Sequence, residues 1–255
     1  MASRPKASPG PWFRGRATPA FSWAVALLAL LIAATAAYSW MQSRPEVQDL
    51  YASSYRRDAS IVFMSGDAGL PRWSLGKQVA QRLAAEEYSV TAVDSLSAFS
   101  KRRSPQQAGG ILAAAMREAI RRNPNAPIVL IGQSFGSDII PIAVAHLPAD
   151  LRSRIARIIL TVPGTQAYLQ VSPAEMLGTA RPDLPILPFV RQLPPVPLTC
   201  IYGIQEPDSL CRAISGPNIR IVALAGGHGL HRDVDAVSAI VERALRGPPA
   251  GMTKA

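Results

Sequence analysis

From residue 59 onward, short and nearly continuous apolar runs alternate with longer stretches in which apolar residues recur every three or four positions. The short runs are Ser60–Ser65 (SIVFMS), Tyr88–Val93 (YSVTAV), Pro127–Gly132 (PIVLIG), Ile155–Val162, Pro197–Tyr202 and Asn218–Leu224. Their length and β-branched content predict strands, and runs without polar alternation predict strands covered on both faces. The intervening periodic stretches Leu75–Glu87, Pro105–Arg122, Ser134–His146 and His231–Arg246 predict helices. Pro105 falls in a first turn, where a missing N–H is tolerated, and Pro141 is placed to kink the third helix. Strands separated by helices predict an α/β domain over 59–247, with a mostly parallel sheet of about six strands and helices on both faces.

Several segments stand outside this rhythm. Residues 163–196 form a long Pro-rich excursion, and an insertion of that kind in a compact domain is expected to be a lid or binding loop. Residues 41–58 read as a linker and 248–255 as a tail. Residues 21–40 (FSWAVALLALLIAATAAYSW) carry no charge, and about 20 apolar residues suffice to cross a bilayer core. They predict either a transmembrane anchor or a signal peptide, whose cleavage site would be Ala34-Thr35-Ala36. Both readings export the domain.

Charge then changes the picture. The 255 residues carry a formal net charge of +10, an excess that suits anionic partners. Arg4, Lys6, Arg14 and Arg16 supply four of those charges ahead of the apolar segment. There they mark residues 1–20 as cytoplasmic and the rest as translocated. The remaining excess lies on an exported domain, where anionic lipid is a better partner than nucleic acid. Two cysteines exclude a disulfide-dense scaffold and a four-cysteine zinc site. No metal or cofactor is expected. In an oxidising compartment Cys200 and Cys211 would pair; the alternative is two buried thiols.

Candidate chemistry sits at the strand ends. Gly132-Gln133-Ser134-Phe135-Gly136 matches G-x-S-x-G between a predicted strand and a predicted helix, the context a nucleophilic serine elbow needs. Ser134 is the candidate nucleophile. In such hydrolases the order is Ser, acid, His. His228, in Gly226-Gly227-His228 after the last strand, is the candidate base; His231 is its competitor, and His146 is expected at the surface. The acid falls after the preceding strand, as Glu206 or Asp208, with Asp208 alternatively capping a short helix Ser209–Ile214. The N–H groups of Phe135 and of Asp67, in the Gly-rich loop Ser65–Gly69, are candidate oxyanion donors. A Cys200–Cys211 bridge would tie the acid loop to its strand.

Taken in chain order, SGDAG from Ser65, VDSLSAFSKRRSPQQ from Val93, GQSFGSDIIP around Ser134, CIYG with DSLC from Cys200, and GGH ending at His228 resemble the bacterial virulence protein VirJ/AcvB family over roughly residues 59–245. Ala68 and Leu70 stand where that family usually has Gly and Trp, and the extra N-terminal domain of its longer members is not expected here. The resemblance implies an exported α/β-hydrolase-fold esterase acting on aminoacylated phosphatidylglycerol, chiefly lysyl-phosphatidylglycerol. The site would lie on the outer side of the inner membrane, in a context associated with type IV secretion. Ser134 and His228 match the family's nucleophile and base. A cationic acyl group would want a carboxylate, for which Asp67, Asp94 and Asp138 are candidates. Lys101, Arg102 and Arg103 could meet lipid phosphate or form a solvated face. Two other readings compete: a non-catalytic periplasmic binding partner of secretion machinery, and a general carboxylesterase.

Overall fold

The computed structural model describes residues 19–42, 46–50 and 59–247. The chain divides into two units, Met1–Met41 and Gln42–Ala255. In the first, α1 (Pro19–Gln42) is one helix of 24 residues that contains the charge-free segment. The described side chains between Trp23 and Ala36 are exposed. Among the described residues no helix is long and apolar enough to cross a membrane. The side chains at both ends of the charge-free segment, the basic residues before it, and the tail from 248 lie outside the described residues.

The second unit runs β1 (Val47–Leu50), β2 (Ser60–Met64), α2 (Leu75–Ala85), β3 (Ser89–Val93), α3 (Ser95–Ala98), α4 (Pro105–Arg122), β4 (Ile128–Gln133), α5 (Phe135–Ala145), α6 (Ala149–Arg152) and β5 (Ile155–Thr161). It continues through β6 (Gln166–Ala167), α7 (Pro173–Met176), β7 (Leu184–Pro185), α8 (Leu187–Val190), β8 (Leu198–Gly203), β9 (Ile219–Leu224) and α9 (Val234–Arg246). Seven strands form one sheet in the order β1-β3-β2-β4-β5-β8-β9. Six of them are mutually parallel, and β1 adds antiparallel to β3 at one edge.

Burial follows from this order. β2 and β3 are buried at every position because helices cover both faces, whereas β9, at the opposite edge, is only partly covered. On one face α2 and α9 bury Val79, Leu83, Val237 and Val241 against Ile61, Phe63, Ile131 and Ile159. α4 and α5 pack together on the other face. Side-chain caps fix the helix starts. Ser74 accepts from the Lys77 N–H, Ser104 and Gln107 form a reciprocal capping box before Pro105, and Asp233 accepts from the Ala236 N–H. The parallel register aligns Met64 with Gly132, Gln133 with Thr161 and Gly203 with Leu224, so the loops that follow these strands share one edge. Ligands gather at that edge in open α/β sheets.

The structure adds to or departs from these expectations at several places. Part of the expected linker is the edge strand β1, which needs little apolar sequence because it pairs on one side only; residues 51–58 lie outside the described residues. The last helix starts at Val234, not His231, because Leu230, His231 and Arg232 all have positive φ. The excursion 163–196 is built of small ordered elements. The β6–β7 pair closes it, Val171 donates to the Phe99 carbonyl, and Arg102 pairs with Asp183. α5 remains one helix through Pro141.

Candidate active site

The loops after β2, β4 and β9 build a cleft of about 300 Å³ lined by Gly66, Asp67, Trp73, Ser134, His228 and Arg232, among others. Ser134 occupies the turn from β4 into α5 at φ 52°, ψ −121°, a conformation unfavourable for a residue with a side chain. The flanking glycines make it possible. A Cβ on Gly132 would lie 2.6 Å from the Ser137 Cα, and one on Gly136 would lie 2.3 Å from the Met64 carbonyl oxygen. The elbow is therefore pressed against the neighbouring backbone. Ser137 fastens α5 to β5 through two 2.9 Å bonds with the Thr161 backbone.

Ser134 Oγ lies 2.7 Å from His228 Nε2, and His228 Nδ1 lies 2.6 Å from Glu206 Oε1. A carboxylate only accepts, so Nδ1 carries the proton and Nε2 is left as the base facing the serine. Glu206 is itself held: its Oε2 accepts from the Gly203 N–H at 3.0 Å, and Arg212 donates to its carbonyl. The disulfide Cys200–Cys211 joins β8 to the short 3₁₀ turn Leu210–Arg212, the turn that carries this arginine. Asp208 is exposed and takes no part; the short turn is capped by Ser209, which accepts from the Cys211 N–H. His231 instead packs its ring against Gly226. His146 is half-buried rather than at the surface, with Nδ1 against the Ile142 carbonyl and its ring toward Phe189.

Phe135 heads α5, and the first N–H groups of a helix have no partner within it. The loop at Asp67 faces the same cleft, with its turn closed by a Gly69 N–H to Gly66 carbonyl bond. Asp94, expected to meet substrate, does not reach the cleft. It is fully buried, caps α3 by accepting from the Ser97 N–H, and accepts from the Leu70 N–H. Its carboxylate packs so closely on Gly69 that a Cβ there would sit 2.4 Å from Oδ1. Asp94 thus shapes the Ser65–Leu70 loop from beneath.

Asp138 lies one turn into α5 and accepts from the Gly164 N–H at 2.8 Å. Burial pushes its carboxyl well above the usual range, reinforced by the charges of Glu175, Glu206 and Asp67. Glu175, on α7, was not singled out by the sequence. Burial and the Asp67 charge raise it to about 7, and its Oε2 is buried without a hydrogen-bond partner. Asp138 and Glu175 are therefore carboxyls whose neutral forms are favoured by burial. The basic run is largely engaged: Arg103 pairs with Glu46, and Arg102 with Asp183. Among the described residues no group of acids, histidines and cysteines is arranged to hold a metal.

The family profile described as bacterial virulence protein (VirJ) matches residues 58–247. No curated protein matches the sequence. Among solved structures, the mature Bacillus licheniformis lipase BlEst2 is similar at 15% identity and TM-score 0.55, over 78% of this chain and 96% of that one. The esterase domain of a Rhodothermus marinus protein is similar at 17% identity and TM-score 0.54, over 78% and 91%. The Pyrococcus furiosus esterase Pf2001 is similar at 16% identity and TM-score 0.51, over 76% and 81%. At these identities the likeness is one of fold, and the fold is that of the α/β-hydrolases.

Proposed function

The chain belongs to the bacterial virulence protein family VirJ, and on that premise we propose that it is a serine ester hydrolase that removes the aminoacyl group from aminoacylated phosphatidylglycerol. The observation that carries the hydrolase reading is the continuous chain from Ser134 Oγ through both nitrogens of His228 to Glu206. His228 takes the serine proton as Oγ attacks the ester carbonyl carbon. Phe135 and Asp67 N–H groups stabilise the oxyanion, a role worth several kcal/mol in related chemistry. The imidazolium, steadied by Glu206, returns the proton to the leaving glycerol oxygen as the C–O bond breaks. Water, activated by the same imidazole, then attacks the acyl-serine and releases the amino acid.

Two features support this substrate class. Burial, reinforced by neighbouring carboxylate charge, raises Asp138 and Glu175, and a cationic acyl group would offset that uncompensated negative charge. Trp73, Met176, Leu177 and Ile204 are exposed large apolar side chains, and Trp73 lines the cleft itself, as suits a lipid substrate. The Cys200–Cys211 bridge fits an oxidising compartment, supporting a site outside the cytoplasm, reached either by an inner-membrane anchor or after signal cleavage.

The test is lysine release from lysyl-phosphatidylglycerol vesicles. Wild type is expected to release lysine, and Ser134→Ala to lose about 10⁴-fold or more in rate. Equal release by the two proteins overturns the triad. Hydrolysis of p-nitrophenyl esters without lysine release would indicate a general carboxylesterase. Failure of a fluorophosphonate to label Ser134 in folded protein would favour the non-catalytic binding role.

A further inference from the structure

We propose that Arg232, held over Trp73, is the subsite for a phosphodiester on the alcohol side of the scissile ester. The proposal rests on the ester-hydrolase reading and adds to it which residue recognises the leaving group.

The backbone points there first. Leu230, His231 and Arg232 have φ of 47°, 50° and 57°, three consecutive left-handed residues with none of them glycine. Each is disfavoured by its own Cβ, and such strain persists only where the surroundings over-determine it. Here they do. Leu230 is only 1% exposed and anchors in the core between the sheet, α2 and α9. The His231 ring covers Gly226 so closely that a Cβ there would lie 2.8 Å from it. Leu230 donates to the Gly227 carbonyl at 2.9 Å, Arg232 to Gly229 at 2.7 Å and Asp233 to Leu230 at 3.0 Å, after which Asp233 caps α9. The consequence is the position of one side chain. The Arg232 guanidinium lies 5.8 Å from the centre of the Trp73 ring, and its Nη2 donates to the Trp73 carbonyl at 2.6 Å.

Arg232 is also unusual electrically. It is the one lysine or arginine among the cleft-lining residues. The carboxylates that follow it in the chain are occupied elsewhere: Asp233 caps α9, and Asp235 pairs with Arg82. A guanidinium with one donor committed keeps further N–H groups for an anion, and its planar fork suits phosphate oxygens.

The mechanism assigns the side. His228 must reach the leaving oxygen to protonate it, so the alcohol lies on the His228 side of Ser134. Arg232 is four residues further along the same loop. Asp67 lines the cleft from the separate loop after β2, and the acyl group falls to its side. Asp67 and Arg232, charged side chains that both line the cleft, then fall on the acyl and the alcohol side respectively. The alcohol of the proposed lipid bears its negative charge on a phosphodiester a few bonds from the ester oxygen.

The experiment titrates full-length protein with glycerophosphoglycerol, with glycerol and with glycerate, and measures kcat/KM on lysyl-phosphatidylglycerol and on lysine methyl ester. Glycerophosphoglycerol is expected to bind wild type more tightly than the other two. Arg232→Ala should weaken that binding about tenfold or more, and Arg232→Lys should retain part of it. Arg232→Ala should also lower the lysyl-phosphatidylglycerol to methyl-ester ratio about tenfold, with Arg232→Lys again between, while melting curves report folding. Unchanged binding in Arg232→Ala, glycerate binding as tightly as the phosphodiester, or an equal fall on both esters overturns the proposal. Absence of ester hydrolysis by wild type would defeat the hydrolase reading alone, because the binding arm reads the subsite without turnover.

Discussion

On one wall of the cleft Ser134 stands at φ 52° between two glycines; on the other, Leu230, His231 and Arg232 stand at positive φ with no glycine among them. The first turn is made possible by removing side chains. Gly132 and Gly136 let β4, α5 and the end of β2 approach until a single Cβ would not fit. The second is made possible by adding them. A buried Leu230 and the His231 ring on Gly226 hold backbone in place that its own residues disfavour. Both devices aim one polar side chain into the same space, but they fail differently. The elbow fails by collision with backbone that cannot yield. The loop fails by loss of side-chain packing, gradually.

The largest break in the comparison is Gly136→Ala. Its new Cβ would meet the Met64 and Ser65 carbonyl oxygens at 2.3 and 2.6 Å, neither the end of a flexible side chain. Stability should fall by about 3 kcal/mol or more. That corresponds to a drop in melting temperature on the order of 10 °C for a domain of this size. Fluorophosphonate labelling of Ser134 should be lost even at temperatures where circular dichroism shows the domain folded, because α5 must shift to make room. A folded variant that labels at the wild-type rate would show that the elbow is looser than its contacts imply.

The two walls were also unequally legible. At the elbow the constraint is steric and local, so it is written as G-x-S-x-G, and residues 132–136 pointed to the turn and to Ser134 at its head. His228 and Glu206 were legible through chain order and loop offset, although only the structure separates Glu206 from Asp208. The left-handed run was not legible. Its residues carry no turn signature, and the periodicity of α9 runs back smoothly enough to predict a helix from His231. Glu175 was hidden because its neighbours Asp67 and Asp138 lie far away in sequence, and β1 because an edge strand needs no apolar run. Asp94 misled, since an acid at a strand end can serve a ligand or a cap equally well, and it caps α3. The sharpest probe of the hidden wall is position 231. His231→Val places a β-branched residue at φ 50° and should cost about 1–2 kcal/mol, roughly 5 °C in melting temperature. His231→Asn, which tolerates this region, should cost clearly less. Equal losses would mean that ring packing on Gly226, rather than backbone strain, dominates there.

The smallest effect contrasts the acyl side with the alcohol side. Glu175 is raised to about 7, chiefly by burial and then by Asp67, whereas in the unfolded chain it titrates near 4.5. Between those values the folded protein holds a proton that the unfolded chain has released, so stability falls as pH rises through this window and the deficit is complete above 7. A shift of this size would be worth about 3 kcal/mol without screening, but Glu175 is only half-buried, so about 1 kcal/mol is expected. Glu175→Gln should therefore melt a few degrees higher than wild type at pH 8 and at nearly the same temperature at pH 4. Catalysis should run the other way. Above pH 7 the ionised Glu175 favours a cationic acyl group, so the wild-type preference for a lysyl ester over an acetyl ester should rise as pH passes through 7. Glu175→Gln should flatten that ratio. A ratio that keeps its pH dependence in the glutamine variant would show that Glu175 does not recognise the cation, while leaving the stability prediction intact.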